Sequence, residues 1–193
     1  MKTIYCVFVV ATALCASVEA AGILYNLRDQ SQTAAIESGA YTVDGVLLSL
    51  SAVDGTLNQT SGSFGINHSG GGDEPAQLDG VAGAETLLFS FDTAGTLHAL
   101  DLSSFGSGDT FDLKKGGVSG VTILNLVDQG NSTIYTVNES FLAGEVFALT
   151  FTAGVVEGGG ASLDTISITA VPEPCSTFLL GMGGLGLLFR RKR

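Results

Sequence analysis

Apolar and polar positions alternate in short runs between residues 21 and 171. Leu87, Phe89 and Phe91 fall on one face of such a run. So do Phe147, Leu149 and Phe151, and again Ile166, Ile168 and Ala170. A period of two belongs to a strand with one buried face, since successive side chains point to opposite sides. Eleven strands are predicted: Ile23–Leu27, Ala40–Val43, Val46–Val53, Ser63–Asn67, Thr86–Asp92, Thr96–Leu102, Thr110–Leu113, Gly120–Val127, Thr133–Val137, Val146–Thr152 and Leu163–Val171. Turn-forming residues separate them: Asp44-Gly45, Asp54-Gly55, Ala94-Gly95, Gln129-Gly130-Asn131 and Gly158-Gly159-Gly160. Only Gln30–Ser38 reads as a turn of helix. Many short strands at this spacing predict an all-β fold, an antiparallel, jelly-roll-like sandwich.

The pattern breaks at both ends. Lys2 precedes an apolar run, Ile4–Ala16, and Val18-Glu19-Ala20 places small residues before Ala21. A positive start, a short apolar core and a small-residue exit predict a secretory signal peptide over 1–20, cut between Ala20 and Ala21 by a pathway that begins at the secretion translocon. Thr12-Ala13-Leu14 before Cys15 is not a lipoprotein context. At the other end stand Val171-Pro172-Glu173-Pro174, the uncharged stretch 175–189, and Arg190-Arg191-Lys192-Arg193. As a helix, fifteen residues reach roughly 22 Å, short of a bilayer core of roughly 30 Å. Such a segment suits a temporary anchor, and the four basic residues form a cytoplasmic stop that leaves the body outside. Pro172 and Pro174 keep the preceding backbone extended and helix-resistant, as a protease requires. Gly181, Gly183, Gly184 and Gly186 permit close helix approach.

That order of motif, apolar helix and basic cluster resembles the PEP-CTERM sorting signal, the substrate of membrane proteases called exosortases. Cys175 departs from it, at a place where Ser or Ala is more usual. A second segment, Ser61–Asp92, with Phe105–Leu113 after it, resembles a loop-and-strand pattern of PEP-CTERM proteins of planctomycete or verrucomicrobial type. The resemblance implies an exported domain handled by an exosortase-like protease, and it supplies no activity.

Residues 21–170 remain as one domain, about 150 residues and enough for a single core. Between 21 and 171, 17 acidic residues face three basic ones, Arg28, Lys114 and Lys115. Such a field repels nucleic acid and anionic surfaces and favours cations. Cys6 and Cys15 lie in the leader and Cys175 in the tail, so the domain has no disulfide and no thiolate metal site.

Candidate chemistry is sparse. Asp73, Glu74, Asp79 and Glu85 share a Gly-rich stretch whose carboxylates could converge on calcium, although the spacing is no EF-hand. The alternative is a solvated acidic loop. His68 and His98 have no metal-ligand spacing and are expected on the surface, His98 as a surface or edge side chain. A glycosidase would use two carboxylates, but Trp is absent and no pair stands out. A carbohydrate-binding module would need an exposed aromatic platform, for which Tyr25, Tyr41, Tyr135 and Phe105 are the candidates. No Gly-x-Ser-x-Gly elbow is present. The expectation is therefore a non-enzymatic exported protein of the surface or matrix, with exopolysaccharide as a candidate partner. Carbohydrate-binding module and secreted glycosidase are the alternatives.

Overall fold

The computed structural model describes residues 22–68, 77–80, 83–105, 108–127, 134–153 and 160–171. The predicted leader, the tail from Pro172 onward, Asp73, Glu74 and the Gln129–Asn131 turn lie outside the described residues.

Alternation becomes strands as expected. They are β1 (Gly22–Asn26), β2 (Ala40–Val43), β3 (Val46–Val53), β4 (Gly55–Gln59), β5 (Phe64–His68), β6 (Leu78–Asp79), β7 (Thr86–Phe91), β8 (Gly95–Ser103), β9 (Thr110–Lys115), β10 (Val121–Val127), β11 (Ile134–Phe141), β12 (Phe147–Ala153) and β13 (Gly160–Ala170). Gln30–Gln32 forms a 3-10 turn and Thr33–Glu37 a short helix, α1, within the stretch predicted to hold helix. Two strands were not foreseen. β4 follows Asp54-Gly55, which the pattern reads as a turn; there the chain bends into a separate hairpin with β5 instead of folding back on β3. β6 is two residues long, too short to show a period.

Two antiparallel sheets result. One runs β1-β13-β8-β11, with β6 also on β13; the other runs β10-β9-β12-β7-β3-β2. With β2 to β6 set aside, the order is β1-β13-β8-β11 over β7-β12-β9-β10. From β7 onward the chain crosses between sheets at every connection except β9 to β10. That interleaving is the connectivity of a jelly roll. The segment between β1 and β7 adds the β2–β3 hairpin to one sheet. Its tight turn depends on Asp44 and Gly45, at φ of 50° and 81°, the left-handed pair that a two-residue hairpin requires.

The inner faces meet through aromatic rings. Tyr25 of β1 lies 5.6 Å from Phe91 of β7, and Phe91 stacks 4.8 Å from Phe141 of β11. Phe89 and Phe147 stack at 5.2 Å across the β7–β12 pair. Leu87, Phe89, Phe91, Phe147, Leu149, Phe151, Ile166 and Ile168 are all buried, as their alternation predicts. Ala170 is only half-buried, because β13 ends there. Gly95 starts β8 where the strands crowd; a Cβ there would run into the Thr169 carbonyl and the Phe141 ring.

Candidate functional site

The junction between the sandwich and the sorting tail is built from β13. This eleven-residue strand lies between β1 and β8, so it is held on both edges. Ala170 pairs with Gly95, and the amide of Val171 donates to the Ala94 carbonyl at 2.8 Å. Pro172, which has no amide hydrogen to continue such a ladder, is the next residue. The folded domain therefore reaches to within one residue of the Pro172-Glu173-Pro174 motif, with no spacer between them.

Of the four acidic residues considered for calcium, Asp79 and Glu85 are described. They are buried, 0% and 1% exposed, where a solvated loop was the alternative. A Glu85 carboxylate oxygen accepts the Asp79 amide at 3.0 Å, and the Glu85 amide donates to the Asp79 carbonyl at 3.1 Å. Asp79 is held by β13 through its pairing with Gly160, and Glu85 by the Phe151 amide, which donates to its carbonyl at 3.0 Å. Among the described residues, no three His, Cys, Asp or Glu side chains gather as metal ligands.

The aromatic platform is a correction. Tyr25, Tyr41, Tyr135 and Phe105 are all buried, and so is every other aromatic side chain among the described residues. Their rings serve the core: Tyr25 packs on Tyr41 at 5.8 Å, and Phe105 packs on Phe111 at 5.2 Å and Tyr135 at 5.8 Å. Sequence pattern missed this because a tyrosine can bury its ring and still satisfy its hydroxyl. The Tyr25 hydroxyl donates to the Val46 carbonyl at 3.0 Å, and that of Tyr135 to Val127 at 2.7 Å. The Tyr25 hydroxyl is pushed well above its ordinary pKa by burial, then by Asp92 and Asp44.

His98 lies on β8, a central strand and not an edge, with its ring nitrogens 2.5 Å from Thr169 Oγ1 and 3.3 Å from Asn138 Oδ1. His68 closes β5. The two do not form one site: His98 is committed to β13 and β11, His68 to the β4–β5 hairpin.

One polar cluster was not foreseen. Arg28 Nη1 meets Asp164 Oδ2 at 2.8 Å; Ser103 and Ser162 donate to Asp164 Oδ1 at 2.9 and 3.1 Å. Ser162 in turn accepts the Phe64 amide at 2.8 Å. Beside it, Gln59 donates to the Leu27 carbonyl at 2.7 Å and accepts from Thr33. The signal was Asp164, a lone charge within the apolar strand β13. Both Asp164 oxygens are occupied by donors, which makes the cluster a clamp between β13, β8 and the inserted segment.

The outer face of the larger sheet carries a shallow groove of about 290 Å³ beside Ser49, Ser51, Leu88 and Ser90. Leu50, Phe89 and Val146 complete its lining, so three hydroxyls stand beside a mostly apolar wall, and the Phe89 ring is buried.

Residues 170–193 match the PEP-CTERM protein-sorting motif. The PEP-CTERM match begins at the last residue of β13 and covers the motif, the apolar stretch and the basic residues. It supports a PEP-CTERM protein, exported and anchored in a membrane until an exosortase, itself a membrane protein, processes it. No curated protein and no solved structure matches the chain. Among the described residues no helix is long and apolar enough to cross a membrane.

Proposed function

We propose that this chain is a non-enzymatic protein of the cell envelope or extracellular matrix, sorted by its tail. Residues 1–20 direct export through the translocon and are removed before Ala21. The apolar stretch 175–189 then parks the chain in the inner membrane, with Arg190–Arg193 on the cytoplasmic side. An exosortase-like protease cuts near Pro172–Pro174 and frees or transfers the sandwich 21–170 to the surface, where exopolysaccharide is the candidate partner. The observation that carries this reading is the PEP-CTERM match at 170–193. The likeness of Ser61–Asp92 to planctomycete or verrucomicrobial relatives agrees with it and adds no activity.

Intact-mass analysis of native material tests it. The expected product begins at Ala21 and lacks Arg190–Arg193. Replacing Pro172, Glu173 and Pro174 with alanine should leave uncleaved chain in the inner membrane, because the helix can then continue outward. A full tail on the exported protein, or unchanged processing of the triple variant, would overturn the reading.

A second reading, a carbohydrate-binding module, draws on the groove where Ser49, Ser51 and Ser90 stand beside Leu50, Leu88, Phe89 and Val146. It has lost its aromatic platform, since all four candidate rings are buried. Recognition would have to rest on the serine hydroxyls and the aliphatic wall without an exposed ring, which glycan-array binding of the exported protein would reveal.

A further inference from the structure

One end of the sandwich collects the exit of the tail, the start of the domain and four of the seven large apolar side chains exposed among the described residues. In the first sheet, Gly22 pairs with Thr169, and Gly95 pairs with both Ala170 and Phe141. The short connections Asp92–Ala94 and Leu142–Val146 join these positions to Phe91 and Phe147 in the facing sheet. Across that sheet Phe147 is opposite Lys115, and Lys115 opposite Val121. The Asp44-Gly45 turn, the Gly116–Gly120 loop and Leu142–Gly144 therefore all lie at the end where Val171 leaves β13.

Chain length limits where this end can go. Val171 is fixed by its bond to Ala94. Cys175, the first residue of the apolar stretch, is four residues on, and an extended chain covers at most about 14 Å in four steps. With residues 175–189 in a bilayer, this end of the sandwich cannot stand further off than that.

The surface there fits such a neighbour. Leu142 is 72% exposed and Val121 73%, with Val118 and Val171 also exposed. Isolated exposed apolar residues are ordinary, but these share one end. Two of the domain's three basic residues are there too. Lys114 reaches the Val118 carbonyl at 3.4 Å, and Lys115 lies 2.8 Å from Glu139 and 3.6 Å from Glu145, neutralising acidic groups of the same end. Asp92 accepts the Leu47 amide at 3.0 Å. Asp44 and Asp92 are the exposed acids of this end among the described residues.

We propose that this end of the sandwich is a lipid-facing surface: while the tail is in the membrane, Leu142, Val118 and Val121 rest in the headgroup layer and the domain stands upright on it. The proposal rests on the reading that residues 175–189 enter the bilayer. Cleavage then does more than cut a tether, since it frees the domain to leave a surface that it touches only through a few apolar tips.

The test uses the exported chain from Ala21 to Arg193 with Cys175 changed to serine, and one reporter cysteine, Leu142→Cys or Ser61→Cys. Ser61 is the control. Its neighbour Gly62 faces Arg28, which binds Asp164, seven residues back along β13 from Val171 and roughly 23 Å away at strand rise. Each chain carries a bimane label in vesicles of phosphatidylethanolamine and phosphatidylglycerol containing a nitroxide-headgroup lipid. Flotation comes first: the chain should float, and Leu180→Arg with Leu185→Arg in the tail should abolish it. Failure here would sink the membrane reading itself. Given flotation, quenching at position 142 should exceed that at 61 several-fold. Equal quenching at the two positions, or deeper quenching at 61, would overturn the lipid-facing end and leave the tail reading intact.

Discussion

The amide of Val171 donates to the carbonyl of Ala94 at 2.8 Å, one residue before Pro172. The last backbone bond of a central strand thus adjoins the motif that a protease must read. A protease needs an extended, accessible segment, and here the folded domain ends one residue before it. Inserting a flexible Gly-Ser linker between Val171 and Pro172 should therefore raise the cleavage rate in cells several-fold. Pulse–chase of the tail-bearing precursor measures it. An unchanged rate would mean that the sandwich leaves the motif fully open.

Phe91 reaches across to the facing sheet, with Tyr25 of β1 at 5.6 Å and Phe141 of β11 at 4.8 Å, and it is buried. Phe91→Ala removes both ring contacts between the sheets and leaves a cavity that packed strands cannot close. A loss of roughly 3–5 kcal/mol is expected. Urea denaturation reads it directly, and a loss below about 1 kcal/mol would be incompatible with the packing described.

Tyr25 and Lys115 are among the groups that make the domain sensitive to alkali. Burial, followed by Asp92 and Asp44, raises the Tyr25 pKa above its ordinary 10.0. The Lys115 pKa rises above 10.5 chiefly through its hydrogen bond to Glu139. In both cases the folded chain holds its proton to higher pH than the unfolded chain. The stabilisation is complete below the unfolded value and is lost as pH rises from there through the folded one. Melting temperature should fall steeply above about pH 10. Tyr25→Phe should flatten part of that fall, at the cost of the bond to Val46. Melts of both proteins across the alkaline range test this, and an identical slope in the two would refute the assignment to Tyr25.

Asp79 and Glu85 bring two carboxylates into one buried loop. Carboxylates so placed offer oxygen ligands to a cation. If calcium is the partner, with Asp73 and Glu74 completing the set, it should raise the melting temperature through linkage. Magnesium should do less, since it demands tighter octahedral geometry. Melts in calcium, magnesium and sodium at matched ionic strength decide the matter. Equal shifts, or a calcium shift that survives Asp79→Asn with Glu85→Gln, would reduce the effect to screening.

Strand identity was legible because it is local. The alternation at Leu87–Phe91 and Phe147–Phe151 needs no knowledge of a partner strand, and a period of two has one physical meaning. The Asp44-Gly45 hairpin was legible for the same reason: the left-handed backbone there restricts the residue types. The tail was the most legible part, since its motif, apolar stretch and basic cluster are contiguous. Residue order alone specifies an address of that kind.

Pairing was decided only in three dimensions. Nothing in the order of residues says that β13 lies between β1 and β8, or that Arg28 finds Asp164, 136 residues away. Asp54-Gly55 has the composition of a hairpin turn, yet the strand that begins at Gly55 pairs with β5 and not with β3. The aromatic residues mark the same boundary. Sequence shows that Tyr25, Tyr41, Tyr135 and Phe105 are large and amphipathic or apolar; it cannot show which side of a sheet will be covered. Burial depends on the facing sheet, and the facing sheet turned a candidate binding platform into core. The sequence by itself determined eleven of the thirteen described strands, the Asp44-Gly45 turn and the sorting motif. The tertiary structure determined which side chains remain at the surface, and that the destination signal starts where the last strand ends, because non-local contacts alone place one segment against another.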